Sequence, residues 1–265
     1  MQLKDKVAVI YGAGGAIGGS CARAFAREGA RVYLAGRTPA RLEVVAREIA
    51  AAGGVAEVAP VDALDEQAVH RHADAVAAQA GRIDIALNAI GIPHVQGTPF
   101  AQLSLEDFAL PINACLRSYF ITAQAVARHM ASSKAGVILT LSTPGAKMTG
   151  GGFLGNGVTS AATEWFSRLL AAELAPSGIR VICLRPHAIP EAVAMGSYTG
   201  EVFDRNAKNA GMAMDDWLAG AAAGTLTRRL PTLAQVADTA VFMASASAGA
   251  MTGTVVNLTG GAVHD

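Results

Sequence analysis

The sequence predicts an α/β fold, a doubly wound parallel sheet of seven strands with helices on both faces. Three observations predict it. Short β-branched runs alternate with alanine-rich amphipathic stretches along the whole chain. The strand-like runs are almost continuously apolar, as strands buried on both faces must be. The first of them ends in a glycine-rich turn that opens directly into a helical stretch.

The strand candidates are KVAVIY from Lys6, ARVYLA from Ala30, GVAEVAP from Gly54, RIDIALN from Arg82, GVILTLS from Gly136, IRVICL from Ile179 and TVVNL from Thr254. Between the first pairs, Ile17, Cys21, Ala24 and Phe25 mark one apolar helix stripe, and Leu42, Val45 and Ile49 another. No repeat and no linker divides the chain, so residues 1–265 read as one domain. The rhythm breaks once. From Pro190 to about Leu230 there is no strand pattern, and Gly, Ala and Met are frequent. This stretch follows a strand C-terminus, the edge at which such sheets bind ligands. Residues 190–230 therefore read as an inserted substrate lid, with a plain helical excursion as the alternative.

Composition narrows the function classes. The chain has 265 residues, 52% of them hydrophobic and 16% charged, with a formal net charge of zero. That is enough apolar material for one large core and little for disordered tails. No Lys/Arg block stands out, which argues against nucleic acid or anionic membranes as partners. The N-terminus carries Lys4, Asp5 and Lys6 before a short apolar run, so it reads as a first strand and not as a signal peptide. No apolar run approaches the roughly 18 residues that cross a bilayer. Cys21, Cys115 and Cys183 are odd in number and far apart, and read as reduced, mostly buried thiols. Together these features predict a cytoplasmic location. No His/Cys/carboxylate group has ligand spacing, so no metal is expected.

The turn after the first strand reads Gly12-Ala13-Gly14-Gly15-Ala16-Ile17-Gly18. Glycines allow a tight turn and a close backbone approach to a pyrophosphate, and the helix N-terminus adds free N–H groups and a positive dipole end. This is the dinucleotide-binding arrangement of a Rossmann fold. The second strand ends at Gly36-Arg37. A carboxylate there would receive the adenosine ribose hydroxyls. A glycine followed by Arg37, which can pair with a 2′-phosphate, favours NADP(H) over NAD(H).

These residues resemble the short-chain dehydrogenase/reductase family over nearly the whole chain. Its TGxxxGIG turn stands here as Tyr11-Gly12-Ala13-Gly14-Gly15-Ala16-Ile17-Gly18, with Tyr11 for threonine and Ala16 for the middle glycine. Asp62, followed by Ala63, matches the family aspartate that touches adenine. The family's NNAG stands as Asn88-Ala89-Ile90-Gly91, and Asn113 is matched to the helix asparagine of the proton relay. Pro186 and Ile189 match the segment that cradles the nicotinamide, with His187 where glycine is usual. Arg229-Leu230-Pro231, Met251-Thr252-Gly253 and Gly260-Gly261 resemble the family's C-terminal signature.

The catalytic motif departs from the family. Counting back from Glu173 and forward from the fifth strand gives one register, which puts Thr143 at the serine position, beside Ser142. Asn156 then stands for the tyrosine and Ser160 for the lysine. Four residues apart, the two still share a helix face. Both can hydrogen-bond a ribose or substrate, but neither is a general acid near neutral pH. Lys147, His187, His94 and Tyr198 are candidates to supply a proton, Lys147 and His187 foremost by position. His70, His72, His129 and His264 read as helix-surface or tail residues.

The resemblance implies an NADP(H)-dependent oxidoreductase acting on a small carbonyl, enone or imine, because acceptors that carry charge themselves need no tyrosine. The segment Met148-Thr149-Gly150-Gly151-Gly152-Phe153 would give them an open, apolar floor. A catalytically silent cofactor-binding protein and a non-redox isomerase or lyase are the alternatives. The resemblance also implies a homo-oligomer, dimer or tetramer, through the helices around Asn113 to Met130 and Asn156 to Ala175, where Trp165, Phe166 and Leu169 look exposed.

Overall fold

The computed structural model describes all residues, 1–265. Seven parallel strands form one sheet in the order β3-β2-β1-β4-β5-β6-β7. They are β1 (Val7–Tyr11), β2 (Arg31–Gly36), β3 (Val55–Pro60), β4 (Ile85–Asn88), β5 (Gly136–Leu141), β6 (Ile179–Pro186) and β7 (Thr254–Leu258). All seven expected strands are present. The order reverses between β1 and β4, so the crevice of a doubly wound sheet opens there.

The helices are α1 (Ala16–Arg27), α2 (Pro39–Ala51), α3 (Glu66–Ala80), α4 (Leu105–Ser133), α5 (Leu154–Leu174), α6 (Pro190–Ala194), α7 (Thr199–Asn209), α8 (Met214–Ala223) and α9 (Leu233–Ala244). They cover the sheet on both faces. One buried cluster gathers Phe25, Leu34, Leu42, Leu87, Leu139 and Val241, and the other gathers Tyr11, Val69, Ile121, Met130 and Val181. Residues of one strand divide between the two clusters: Ile10 goes to the first and Val9 to the second. That is the two-faced burial read from the apolar runs. No helix is long and apolar enough to cross a membrane.

Two sequence expectations change. Helix α4 begins at Leu105, well ahead of Asn113, and carries Pro111 within it. Proline in the second turn forgoes the bond its N–H would have made to the Asp107 carbonyl, and Ser104 caps the helix start by accepting from the Asp107 N–H at 3.0 Å. His72 is no surface residue. It is buried against Tyr11, ring edge to face at 5.8 Å, and neither ring nitrogen has a partner. Residues 190–230 contain α6, α7 and α8 and no strand.

Candidate functional site

The C-terminal strand edges open onto one cleft of about 1050 Å³. At its β1 end Gly12 has φ +82°, and a Cβ there would stand 2.6 Å from the Ala89 carbonyl oxygen. A Cβ on Gly18 would stand 2.3 Å from the Gly12 oxygen, so Gly18 lets α1 sit against the turn and does not itself line the cleft. Gly14, Gly15 and Ile17 do line it. Gly15 offers no side chain to cap α1, which leaves the N–H groups of the first turn facing outward. A backbone cradle that excludes side chains, at an uncapped helix N-terminus, fits a pyrophosphate.

Along the cleft from this turn lie Gly36 and Arg37 from the end of β2, with Asp62 and Ala63 after β3. The Asp62 carboxylate accepts the Leu64 N–H at 3.0 Å, which fixes its turn. Arg41, in the first turn of α2, joins Arg37 on the cleft wall. Sequence reasoning missed Arg41, although its spacing of four from Arg37 was available. Ala89 and Gly91 line the next stretch, but Asn88 does not. Asn88 is buried, donating to Thr122 at 3.0 Å and accepting from the Ile90 N–H at 3.2 Å. It shapes the turn after β4 and has no free group for a cofactor.

The floor of the other half is polar. Thr143 Oγ1 donates to Asn156 Oδ1 at 3.1 Å, lies 2.8 Å from Ser160 Oγ, and accepts the Gly145 N–H at 3.2 Å. The three side chains that the register placed at the serine, tyrosine and lysine positions are thus brought into contact. Pro186, His187 and Ile189 border them. His94 joins the group. Its Nδ1 lies 2.8 Å from the Ile92 carbonyl, while Nε2 lies 2.9 Å from the Gln96 amide and 3.2 Å from the Asn156 amide nitrogen. These contacts assign the proton to Nδ1, leaving Nε2 as an acceptor. Burial lowers the pKa of His94, against a smaller raising effect of the Ile92 bond, and burial also lowers that of His187. Both favour the neutral ring. His187 Nδ1 accepts the Ala188 N–H at 2.6 Å.

Other candidates are placed differently. Ser142 lines the cleft, but its Oγ donates at 2.9 Å to Glu164, which does not line it and is held by Arg185 at 2.6 and 2.8 Å. Its proton is directed away from any substrate. Lys147 is exposed and does not line the cleft. The structure does not bring Asn113 to the site either: it is exposed and borders a separate shallow depression with Leu64 and Arg117. Cys115, two residues on, is the α4 residue that reaches the cleft, as do Pro111 and Tyr119 at helical spacing. Burial pushes the Cys115 thiol up to about 11, so it stays protonated. Tyr198 lines the cleft with its ring edge on His94 at 5.9 Å, and burial pushes its hydroxyl up to about 12. This floor can hydrogen-bond an acceptor atom. It holds no tyrosine–lysine pair, and its two histidines are biased toward the neutral ring.

Helices α6 to α8 cover this half. Asn206 on α7 donates to the Gln96 side-chain oxygen at 3.1 Å, and Asn209 to the Gly97 carbonyl at 2.9 Å. Gly97 N–H in turn donates to the Gly152 carbonyl at 2.8 Å. The cover is therefore tied to the loop that carries His94. Met148, Thr149, Gly150 and Phe153 border the opening.

Known proteins resemble this chain over nearly its whole length. Residues 12–263 match the family model described as enoyl-(acyl carrier protein) reductase. The chain is 30% identical to a short-chain reductase, NovJ, of Streptomyces niveus, covering 97% of this chain and 94% of that protein. It is 28% identical to the 7alpha-hydroxysteroid dehydrogenase of Escherichia coli K12, covering 100% and 97%. A solved 7 alpha-hydroxysteroid dehydrogenase, complexed with NADH and 7-oxo glycochenodeoxycholic acid, superposes with a TM-score of 0.84, at 28% identity and 100% and 96% coverage. A xylitol dehydrogenase with bound NAD+ shares the fold, with a TM-score of 0.90 at 22% identity over 98% and 100% of the two chains.

Proposed function

The chain belongs to the short-chain dehydrogenase/reductase family of oxidoreductases, and on that premise we propose that it is an NADP(H)-dependent oxidoreductase with a non-standard active site, acting on a small carbonyl, enone or imine. The turn at Gly12 and the first turn of α1 hold the pyrophosphate. Arg37 and Arg41 receive the 2′-phosphate, with no carboxylate at Gly36 to oppose it. Relatives and neighbours include binders of NADH and of NADP, so the preference rests on these two arginines. Bound NADPH supplies hydride. Thr143, Asn156 and Ser160 orient the acceptor by hydrogen bonds, and α6–α8 act as a lid that excludes water.

The observation that carries this reading is the contact of Thr143 with Asn156 and Ser160. On this reading Thr143, Asn156 and Ser160 stand at the family's catalytic positions without its acid. An acid adds typically 10²–10⁴-fold, so plain ketones are poor substrates, and conjugated enones or protonated imines, which need less help, are better ones. The same lack of an acid favours a second reading, a protein that binds the dinucleotide without turnover. NADPH consumption over a panel of ketones, enones and imines separates them. Oxidation fastest with enones or imines supports the first reading; tight NADPH binding with no oxidation on any acceptor supports the second.

We also propose a homo-oligomer formed through α4 and α5, which carry the exposed Phe120, Trp165 and Leu169. The three unpaired cysteines suit a reducing, cytoplasmic compartment.

A further inference from the structure

The lid is sorted by charge. Its charged residues Glu201, Asp204, Arg205 and Lys208 on α7, and Asp215 and Asp216 on α8, do not line the cleft. Its apolar ones do: Val202 and Phe203 from α7, Trp217 and Ala221 from α8, and Met195 and Met212 beside them. Phe203 and Trp217 stack on one another at 5.1 Å and 30°, forming a rigid aromatic wall. Ile92, Pro111, Cys115 and Phe153 add to the apolar lining. The only Asp, Glu, Lys or Arg side chains on the cleft are Arg37, Arg41 and Asp62, all at the adenosine end. The polar groups of the substrate half are all uncharged or held neutral: Thr143, Asn156, Ser160 and His94 form one hydrogen-bonded group, and Ser197, Tyr198 and Thr199 line the cleft from the lid.

From this distribution we infer that the lid half takes a neutral ligand with an apolar body and a hydrogen-bonding acceptor group, the body packing against Phe203 and Trp217 and the acceptor reaching Thr143 and Asn156. A charged substituent on the body would lose its water beneath the lid and find no counter-charge, and such burial is strongly unfavourable. The aromatic pair instead rewards apolar area. The inference deepens the oxidoreductase reading, on which it rests for placing the ligand beside the dinucleotide.

The chain offers a built-in reporter. It has two tryptophans, and the other, Trp165, is exposed on α5. In a Trp165→Phe protein saturated with NADP+, fluorescence reports Trp217 alone. Three matched probes are titrated: 4-phenyl-2-butanone, its para-carboxylate analogue and its para-trimethylammonium analogue. The expected result is a change in Trp217 emission with the neutral ketone and binding at least about 30-fold weaker for both charged analogues, as an uncompensated buried charge requires. Met195, half-exposed at the rim, supplies a second variant: Met195→Lys should improve binding of the carboxylate about tenfold or more by giving it a partner. Equal or tighter binding of a charged probe by the Trp165→Phe protein overturns the inference, as does a silent Trp217 with all three or an unchanged carboxylate affinity in Met195→Lys. Because the readout is binding, the two readings fail separately: neutral-selective binding with no NADPH oxidation on any acceptor would defeat the redox reading and leave the ligand class standing.

Discussion

Thr143 has one proton to give, yet it touches Asn156, Ser160 and the Gly145 N–H. With Asn156 accepting from Thr143, Ser160 is left to donate, and the floor becomes a chain of neutral hydrogen bonds. This much was legible, because the spacings of 13 and 4 between Thr143, Asn156 and Ser160 survive the loss of the tyrosine and lysine themselves. The part played by His94 was not. It depends on a loop conformation that turns Nε2 toward Asn156, and loops carry no periodicity. Asn113 was matched by residue type, whereas helix phase selects Cys115. His72 was read as a surface residue from its polarity, but its position in α3 faces inward. Burial pushes His72 down to about 4, from an ordinary value near 6.5. Folding therefore favours the neutral ring: its contribution is complete above about pH 6.5 and is lost as pH falls through 4, by about 3 kcal/mol in all. Stability measured by denaturant titration should fall across that window in the native chain, and His72→Leu should flatten the fall. An unchanged slope would show that other groups set the acid limit.

The elements were the most readable level. All seven strands announce themselves as apolar runs, and α1 by the glycine turn that precedes it. The start of α4 was hidden because Pro111 ordinarily breaks a helix interior, and here the helix runs through it from the Ser104 cap. Helix α5 carries the account's catalytic claim, since Asn156 and Ser160 share the face turned to Thr143. Restoring the family pair on that face by Asn156→Tyr with Ser160→Lys should raise kcat/KM for a simple ketone by about 10²-fold or more. Trimming His94→Ala alongside makes room for the ring, since His94 now stands 3.2 Å from Asn156. Steady-state NADPH consumption checks it. Intact NADPH binding with no gain on ketones would show that α5 does not present these residues to the substrate.

At the scale of the molecule, composition correctly limited the chain to a compact α/β protein, while the lid's sorting by charge could be seen only once α7 and α8 had fixed which residues turn inward. Phe120, Trp165 and Leu169 are each more than half exposed on α4 and α5. Trp165→Glu with Leu169→Glu should shift the assembly toward monomer in light scattering, with the fold unchanged by circular dichroism; a monomeric parent chain would refute that interface. The central claim is that the turn at Gly12, with Arg37 and Arg41, holds NADP(H), and the most direct test is a paired titration of the purified protein with NADPH and NADH, followed by dinucleotide fluorescence. The account predicts that NADPH binds at least about tenfold more tightly, the worth of one good charge-assisted contact. Tighter binding of NADH, or no binding of either, would contradict it.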